Sequence, residues 1–230
     1  SLAPQIALNF RMFDWLSFRS SVSSGFRVPA IAEMYTRSQL NIFKVEPNPD
    51  LIAERSQAGE VGMTVKLLGN KWISDMTMDV VAFKSTFDQL IEANQNDKGI
   101  IHFENITDAR ISGLEVSLLG AMLNKSLLFS TAYTQLNPEE IDKDGNTIDT
   151  LAYRFRYTLV TTIGTRLMGV TATLENRYMS RIERVKLFQE NVISGEDKRV
   201  PIHIWNASLG YDYRGWDFLF RVENMFQYYY

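Results

Sequence analysis

Hydrophobic and polar residues alternate with a period of two along many segments of this chain. In one such segment Val61, Met63, Val65 and Leu67 occupy every second position, and mostly polar residues lie between them. The same alternation recurs over residues 75–82, 113–118, 170–177 and 216–223. A period of two is typical of β-strands with two different faces. The pattern predicts an all-β fold of about ten strands.

The polar positions include Asp, Glu, Lys and Arg in the middle of strands. In a closed protein core these charges would lack water, whereas facing a wide aqueous lumen they are solvated. Two segments, 73–92 and 169–186, are also much longer than the usual strand of roughly 5–6 residues. Long tilted strands that project beyond a bilayer explain both features.

Connections between the segments alternate in length. Short ones fall near residues 12–14, 69–71, 121–124, 168–169 and 214–215, and long ones near 25–51, 93–100, 137–150 and 187–200. This sorting is typical of an antiparallel up-and-down transmembrane β-barrel in an outer membrane, with short periplasmic turns and long external loops. A soluble β-sandwich is the alternative fold, but it gives no reason for loops to be sorted by length.

Composition agrees with a barrel in a membrane. Aromatic residues make up 12% of the chain, which suits aromatic girdles, and Trp72, Trp205 and Trp216 are predicted interface anchors. A mean hydropathy of −0.15 is near neutral, as expected when half of each strand faces water. A net charge of −3 gives no basic field for nucleic acid, and the absence of cysteine removes disulfides and thiolate metal sites.

Several motifs follow one another along the chain. They are Phe26-Arg27-Val28-Pro29 with Glu33-Met34-Tyr35, Asn48-Pro49-Asp50-Leu51 with Glu60-Val61-Gly62, Asn105 with Ala109 and Gly113-Leu114-Glu115, Ser130–Thr134 as STAYT, and Val222-Glu223-Asn224-Met225-Phe226. In this order and spacing they resemble the barrel of TonB-dependent outer-membrane receptors. Arg154-Phe155-Arg156 stands where that family usually shows a proline.

The resemblance implies a 22-stranded barrel filled by an N-terminal plug. Residues 1–230 would form the C-terminal half of the barrel domain, with the plug and the last strand absent from this chain. The protein would bind a scarce nutrient, most often a ferric siderophore in this family, at the bacterial cell outer membrane. It would import that nutrient with energy from the TonB complex, which it contacts through the plug. Outer-membrane lipid and lipopolysaccharide would surround it.

Two other functions remain open at this stage. A passive porin-like or structural outer-membrane barrel would need neither plug nor TonB. A barrel-bound enzyme would need a Ser/His/Asp-type constellation at a strand end, and the sequence shows none. We therefore expect no enzyme activity, no catalytic residues and no cofactor.

The residues of the motifs are expected to be structural. They are Phe26, Arg27, Pro29, Glu33, Tyr35, Asn48, Pro49, Glu60, Gly113, Glu115, Asn224 and Phe226. Arg27 and Glu33 are expected to form a local ion pair where a strand enters a long loop. By the alternation, Glu60 and Glu115 point into the lumen.

Candidate ligand-binding residues lie in or near the long loops: Tyr35, Arg37, Phe43, Arg177, Arg181 and Phe188. Arginine binds carboxylate and phosphate groups well, so an anionic ferric siderophore fits this set. Alternatively, Arg177 and Arg181 form a self-neutralising ladder with Glu175 and Glu183 on one face of a strand.

No metal site is expected. His102 and His203 are the only histidines, and neither lies in a cluster with metal-ligand spacing. Residues 142–149 begin like a calcium-binding EF-hand loop, but Thr147 and Tyr153 stand where that loop needs glycine and glutamate. Asp, Asn and Gly in this segment are better explained as turn residues.

Overall fold

The computed structural model describes residues 2–40, 43–69, 73–96, 99–105, 108–184 and 199–228. Strands account for most of them. They are β1 Gln5–Phe13, β2 Leu16–Arg27, β3 Ser38–Leu40, β4 Phe43–Val45, β5 Glu54–Leu68, β6 Ile73–Asp88, β7 Ile91–Gln95, β8 Ile100–Asn105, β9 Asp108–Met122, β10 Leu127–Ile141, β11 Thr147–Thr150, β12 Tyr157–Leu167, β13 Val170–Met179, β14 Ile202–Tyr213 and β15 Trp216–Val222, with one short helix, α1 Ile31–Tyr35. No helix among the described residues has the length and apolarity to cross a membrane.

The main sheet is an antiparallel meander. Its ten successive strands run in the order β1-β2-β5-β6-β9-β10-β12-β13-β14-β15, and β11 pairs with β10 beside this path. Every strand on the path pairs with the next strand of the path along the chain, so the chain passes up and down without a crossover. The predicted all-β, antiparallel, up-and-down architecture of about ten strands is confirmed.

A second sheet, in the order β3-β4-β8-β7, lies within two of the long connections. These short strands were not predicted, and segment 73–92 was wrongly taken as one strand. That segment ends as β6 at Asp88, since Gln89 adopts a left-handed φ of 60°, and β7 then pairs with β8. Three to six residues leave too little alternation to reveal such strands in the sequence.

Two other predicted boundaries were wrong. The segment predicted over 169–186 ends as β13 at Met179, where the Ser180 hydroxyl accepts hydrogen bonds from the backbone N–H groups of Arg156 (3.0 Å) and Tyr157 (3.1 Å). The loop predicted over 137–150 begins later, because β10 continues through Pro138 to Ile141 and pairs there with β11. The connection that follows spans residues 142–156.

The predicted sorting of connections by length is confirmed where the structure describes them. Turns of two to four residues, at 14–15, 123–126, 168–169 and 214–215, join strands at one end of the sheet. At the other end the connections span 28–53, 89–107, 142–156 and 180–201. Residues 41–42, 70–72, 97–98 and 185–198, which belong to four of the predicted connections, lie outside the described residues.

The two faces of the main sheet differ in chemistry, because residues directly opposite each other on antiparallel strands point to the same side. One row on the apolar face joins Phe10, Phe18, Met63, Val80, Val116, Tyr133, Leu159, Tyr178 and His203. A neighbouring row on the polar face joins Ser17, Thr64, Asp79, Ser117, Ala132, Val160 and Arg177. Glu60 and Glu115 lie on this polar face, as predicted.

The apolar face is exposed despite its composition: Ile6, Leu8 and Phe220 are each about two-thirds exposed (67%, 68% and 67%). Aromatic pairs border it. Phe13 stacks on Trp15 and Tyr211 on Tyr213 near the short turns, while Tyr178 contacts His203 and Trp205 contacts Phe226 near the long connections. From His203 to Tyr213 is roughly 33 Å along β14, or about 25 Å after a tilt of roughly 40°, which matches the lipid-facing band of a barrel.

A charge placed on the apolar face tests this assignment. Ile163 and Thr162 are neighbours in β12 that point to opposite faces. We expect Ile163→Arg to lower the free energy of unfolding in lipid vesicles by about 2–4 kcal/mol, because the guanidinium would enter hydrocarbon. Thr162→Arg, which reaches water, should cost less than about 1 kcal/mol. Equal losses in denaturant titrations of the two variants would contradict the assignment.

Candidate functional site

A cluster of charged groups lies on the polar face of β2, β5 and β6. The two terminal nitrogens of Arg19 donate to the two carboxylate oxygens of Asp79, each at 2.6 Å, and the Thr64 hydroxyl donates to the same carboxylate at 2.6 Å. Glu60 and Glu115 lie near enough to interact electrostatically with Arg19. Arg19 was not singled out in the sequence, although its place between Phe18 and Ser20 gives it the parity of the polar face.

A second cluster of polar side chains lies on the polar face of β13, β14 and β15. It surrounds an open cavity of about 340 Å³. The Asn206 side chain donates to Glu175 at 3.0 Å and accepts the backbone N–H of Asn224 at 2.9 Å. Asn224 has a left-handed φ of 49°, which asparagine tolerates well, and its side chain exchanges two hydrogen bonds with the backbone of Tyr228. This motif residue therefore orders the turn after β15.

Arg27 is the centre of an ion-pair cluster at the end of the sheet with long connections. Its guanidinium donates two hydrogen bonds of 2.7 Å to Glu54 and a further one of 2.9 Å to Glu33. Glu33 also accepts the backbone N–H of Ala30, and Glu54 accepts that of Ile91. The predicted Arg27–Glu33 pair is confirmed. The unpredicted Glu54 extends the cluster to the start of β7.

Two motif asparagines fasten the second sheet to the end of the main sheet. The Asn48 side chain donates to the backbone oxygen of Phe103 at 2.8 Å. The Asn105 side chain bonds both backbone groups of Ile52 and donates to the backbone oxygen of Gln89. Because one side chain satisfies three backbone groups from two connections, Asn105 has a structural role that apolar residues of its size could not fill.

The glycine of another motif is required by close packing. A Cβ atom added at Gly113 would collide with the backbone oxygen of Gln135 and with the Phe83 ring. Gly113 therefore allows β9 and β10 to pair where the large Phe83 side chain crosses the polar face.

Further ion pairs hold the connection over residues 142–156. Arg110 pairs with Glu139 at 2.7 Å, and Arg184 pairs with Glu140 at 2.6 Å and with Asp149 at 3.2 Å. These pairs join β9, β10, β11 and the segment after β13. The long connections are therefore attached to the barrel at several points.

Residues 142–146 form a tight turn. The Asp142 carboxylate accepts the backbone N–H groups of Asn146 (2.8 Å) and Asp144 (2.9 Å). The hydrogen bond from the Asn146 backbone is the main reason that the pKa of Asp142 lies below its ordinary value. Among the described residues, no group of three or more His, Cys, Asp or Glu side chains could hold a metal ion. The structure thus shows turn chemistry in this segment.

The second sheet presents charged residues on one face. His102 contacts the Glu104 carboxylate, to which the Asn94 side chain also donates at 3.1 Å. Lys44 lies 2.5 Å from Glu46, and its hydrogen bond lowers the pKa of that carboxyl. This face therefore combines both signs of charge beside the barrel entrance.

The predicted ligand-binding residues do not form one cluster. Tyr35 ends α1 and is exposed, Arg37 follows it, and Phe43 begins β4. Arg177 lies on the polar face of β13, six strand spacings from β2, or roughly 29 Å along the sheet. Phe188 lies outside the described residues.

The predicted charge ladder was also wrong beyond Arg177. Because β13 ends at Met179, Arg181 and Glu183 no longer share its alternation. Glu183 instead pairs with Arg156 at 2.7 Å, while Arg177 lies 3.7 Å from Glu175. The Glu175–Arg177 part of the ladder is present in the described part of the chain.

Comparison with known families gives a match over nearly the whole chain. The model of the TonB dependent receptor-like β-barrel family matches residues 1–225. Among curated proteins, the hemoglobin and hemoglobin-haptoglobin-binding protein C of Haemophilus influenzae is 28% identical over 142 residues, which cover 56% of this chain and 13% of that protein. Protein B of the same name and organism is 28% identical over 123 residues and 11% of its length.

Solved structures share the fold. A ferric enterobactin receptor mutant of Pseudomonas aeruginosa, in complex with enterobactin, superposes with a TM-score of 0.70 at 18% identity, over 97% of this chain and 35% of that one. The hemophore receptor HasR of Serratia marcescens, in complex with its hemophore and heme, superposes with a TM-score of 0.62 at 19% identity, over 91% and 34%. The chain thus spans about a third of these receptors.

Removing Arg27 should loosen the connection it holds. In Arg27→Met the nearly buried Glu54 would lose its counter-charge. Breaking a fully buried pair costs roughly 3–5 kcal/mol, but the Arg27 side chain is 44% exposed, so we expect about 1–2 kcal/mol. Amide hydrogen exchange should accelerate in α1 and at Ile91.

Arg166→Met is the matched control. Arg166 pairs with Asp212 at 3.0 Å, but both side chains are more than half exposed, so the change should cost less than about 0.5 kcal/mol. Similar exchange patterns in the two variants would show that Arg27 has no special role in holding the connection.

The turn at residues 142–146 should depend on pH. A depressed pKa means that the Asp142 carboxylate stabilises the turn above its ordinary pKa of about 4, and that this contribution disappears as the pH falls through the lower folded-state value. We expect the protection of the Asn146 amide, corrected for intrinsic exchange, to drop below about pH 4. An Asp142→Ala variant should lack protection already at pH 7, and a pH step retained in that variant would exclude Asp142 as the cause.

Proposed function

Because the chain belongs to the TonB-dependent receptor family through its β-barrel domain, we propose that the full-length protein is an outer-membrane receptor for an iron-bearing nutrient. It imports this nutrient with energy from the TonB complex. The observation that carries the proposal is the family match over residues 1–225, together with a sheet whose two faces suit lipid and water.

The polar face supplies the wall of the import path. Arg19, Asp79, Glu60 and Glu115 lie on it between the short turns and the long connections. A wide lumen keeps these charges hydrated and gives a polar plug many hydrogen-bonding partners. In the proposal, residues 1–230 form the C-terminal half of a 22-stranded barrel, and the plug, encoded upstream, fills it and contacts TonB.

The long connections supply the ligand contacts. Tyr35 and Arg37 lie at the entrance, and Arg177 lines the wall below it. Of the remaining three candidates, Arg181 and Phe43 belong to the same end of the barrel, and Phe188 lies outside the described residues. Aromatic and guanidinium groups suit a flat or anionic iron complex, because arginine binds carboxylates and aromatic rings stack.

Two cargoes fit this chemistry. A ferric siderophore is the cargo that the family resemblance implies most often, and an anionic one suits the arginine residues. Haem, taken from haemoglobin, is the second candidate, since the curated relatives are haemoglobin-binding proteins and haem carries two carboxylates beside a flat ring. Both cargoes contain iron, so both fit the proposed import of an iron-bearing nutrient.

Growth under iron limitation tests the proposal. The full-length receptor is expressed in a strain that lacks its own siderophore and haem receptors, with and without functional TonB. We expect one iron source, among haemoglobin, haemin and a panel of ferric siderophores, to restore growth only when both receptor and TonB are present. The source that works identifies the cargo.

The porin alternative gives a different result. A passive barrel would admit small solutes into liposomes and would support growth equally well without TonB. TonB-independent growth would therefore overturn the proposal, as would growth on none of the iron sources despite surface expression.

A further inference from the structure

A groove crosses the apolar face of β1, β2, β5 and β6, and we call it the outer groove. Its walls are Ile6, Leu8, Val22, Val61 and Ala82. Its volume is about 510 Å³, and it continues into a second depression of about 460 Å³ that shares Ile6, Val22, Gly59 and Lys84. These walls and Lys84 have the parity of the apolar, lipid-facing side, while Ser21, Glu60 and Phe83 of the polar face complete the lining.

Gly59 forms the floor of the outer groove. It pairs with Val22 on one side and with Lys84 on the other. A Cβ atom added at Gly59 would meet Val22 Cγ1 at 3.7 Å and the backbone oxygen of Ser21 at 3.9 Å, which are ordinary contacts. The backbone therefore does not require glycine here, and the missing side chain leaves the groove open at this point.

The groove changes from apolar to polar towards the end with the long connections. Along β6, Met78, Val80 and Ala82 are followed on the same face by Lys84 and then Thr86. Thr86 pairs with Gln57, which in turn pairs with Ser24. One end of the groove thus offers hydrocarbon contacts, and the other offers a cation and hydrogen-bond donors.

Within the described residues, the Lys84 side chain has no ion-pair partner that would explain its position. It is exposed and forms no ion pair with any part of the chain that the structure describes. Arg110 lies on the same face, opposite Thr86 on the neighbouring strand β9. Unlike Lys84, it is paired with a carboxylate, that of Glu139. A lone ammonium at the upper border of an apolar face is well placed to bind an anionic group at the surface of a bilayer.

We propose that the outer groove is a binding site for a phosphorylated acyl lipid of the surrounding leaflet. One acyl chain lies over Gly59 between Val22 and Ala82, and the lipid phosphate binds the Lys84 ammonium, with Gln57 and Thr86 as further donors. Two observations select this occupant: the groove is continuous with the lipid-facing surface, and its polar end is cationic. The inference rests on the proposed location in a membrane, but not on the cargo.

Native mass spectrometry of the full-length receptor in detergent tests the site with phosphatidic acid and diacylglycerol of identical chains. These lipids differ only by the phosphate. We expect the wild type to retain phosphatidic acid about fivefold better than diacylglycerol. This ratio corresponds to the contribution of roughly one exposed ion pair. Lys84→Gln should abolish this preference, and Gly59→Leu, which fills the floor, should reduce retention of both lipids.

Matched controls lie on the polar face. Lys66→Gln removes a similarly exposed lysine from β5 near the short turns, and Gly164→Leu adds a side chain where a Cβ meets Thr173 at an ordinary 3.5 Å. Neither should change lipid retention, and excess inorganic phosphate should not displace the lipid. If Lys84→Gln keeps the preference, if Lys66→Gln removes it equally, or if inorganic phosphate displaces the lipid, the proposed site is wrong.

The outcome is separable from the proposed function. Each variant is also assayed for TonB-dependent growth on the iron source. A receptor that supports this growth but retains neither lipid selectively overturns only the outer groove site. A receptor that retains phosphatidic acid selectively but supports no such growth overturns only the import proposal.

Discussion

The proposed membrane barrel depends on one constraint: inside hydrocarbon, every backbone N–H and C=O group must find a partner within the protein. An antiparallel meander meets this demand strand by strand, and here it does so over ten successive strands. Once the backbone is paired in this way, side chains alternate between two solvents. The apolar face, with its exposed aliphatic and aromatic residues, and the polar face, with Arg19 and Asp79, both follow from that alternation.

The same constraint explains why the ion pairs concentrate at one end. Where the strands of the proposed barrel leave the bilayer, irregular backbone meets water, and the long connections are held by side chains as well as by the short ladders of the second sheet and β11. Arg27, Arg110 and Arg184 each join at least two chain segments there. Their guanidinium groups suit this role because they make several directed hydrogen bonds. In the proposed receptor, such attached loops present a preorganised entrance to the ligand, which limits the entropy lost on binding.

The sequence predicted most of the main sheet because period two persists over six to eight residues in its long strands, as over residues 60–67 in β5 and 113–118 in β9. It also predicted the Arg27–Glu33 pair and the turn at Asp142, where spacing is local. It did not predict the short strands of the second sheet, which contain too few residues for a pattern, nor the end of β13, which a single hydroxyl at Ser180 determines. Partners distant in sequence, such as Glu54 for Arg27, become visible only once the register is known.

The central claim, a barrel in the outer membrane with its long connections outside, is tested most directly by labelling single cysteines in intact cells. This chain has no cysteine, so Asp144→Cys in a long connection and Asp14→Cys in a short turn are clean reporters once any cysteine elsewhere in the receptor is replaced. A membrane-impermeant maleimide should label Asp144→Cys in intact cells, and Asp14→Cys only after permeabilisation. The reverse pattern, or equal labelling of both in intact cells, would contradict the account.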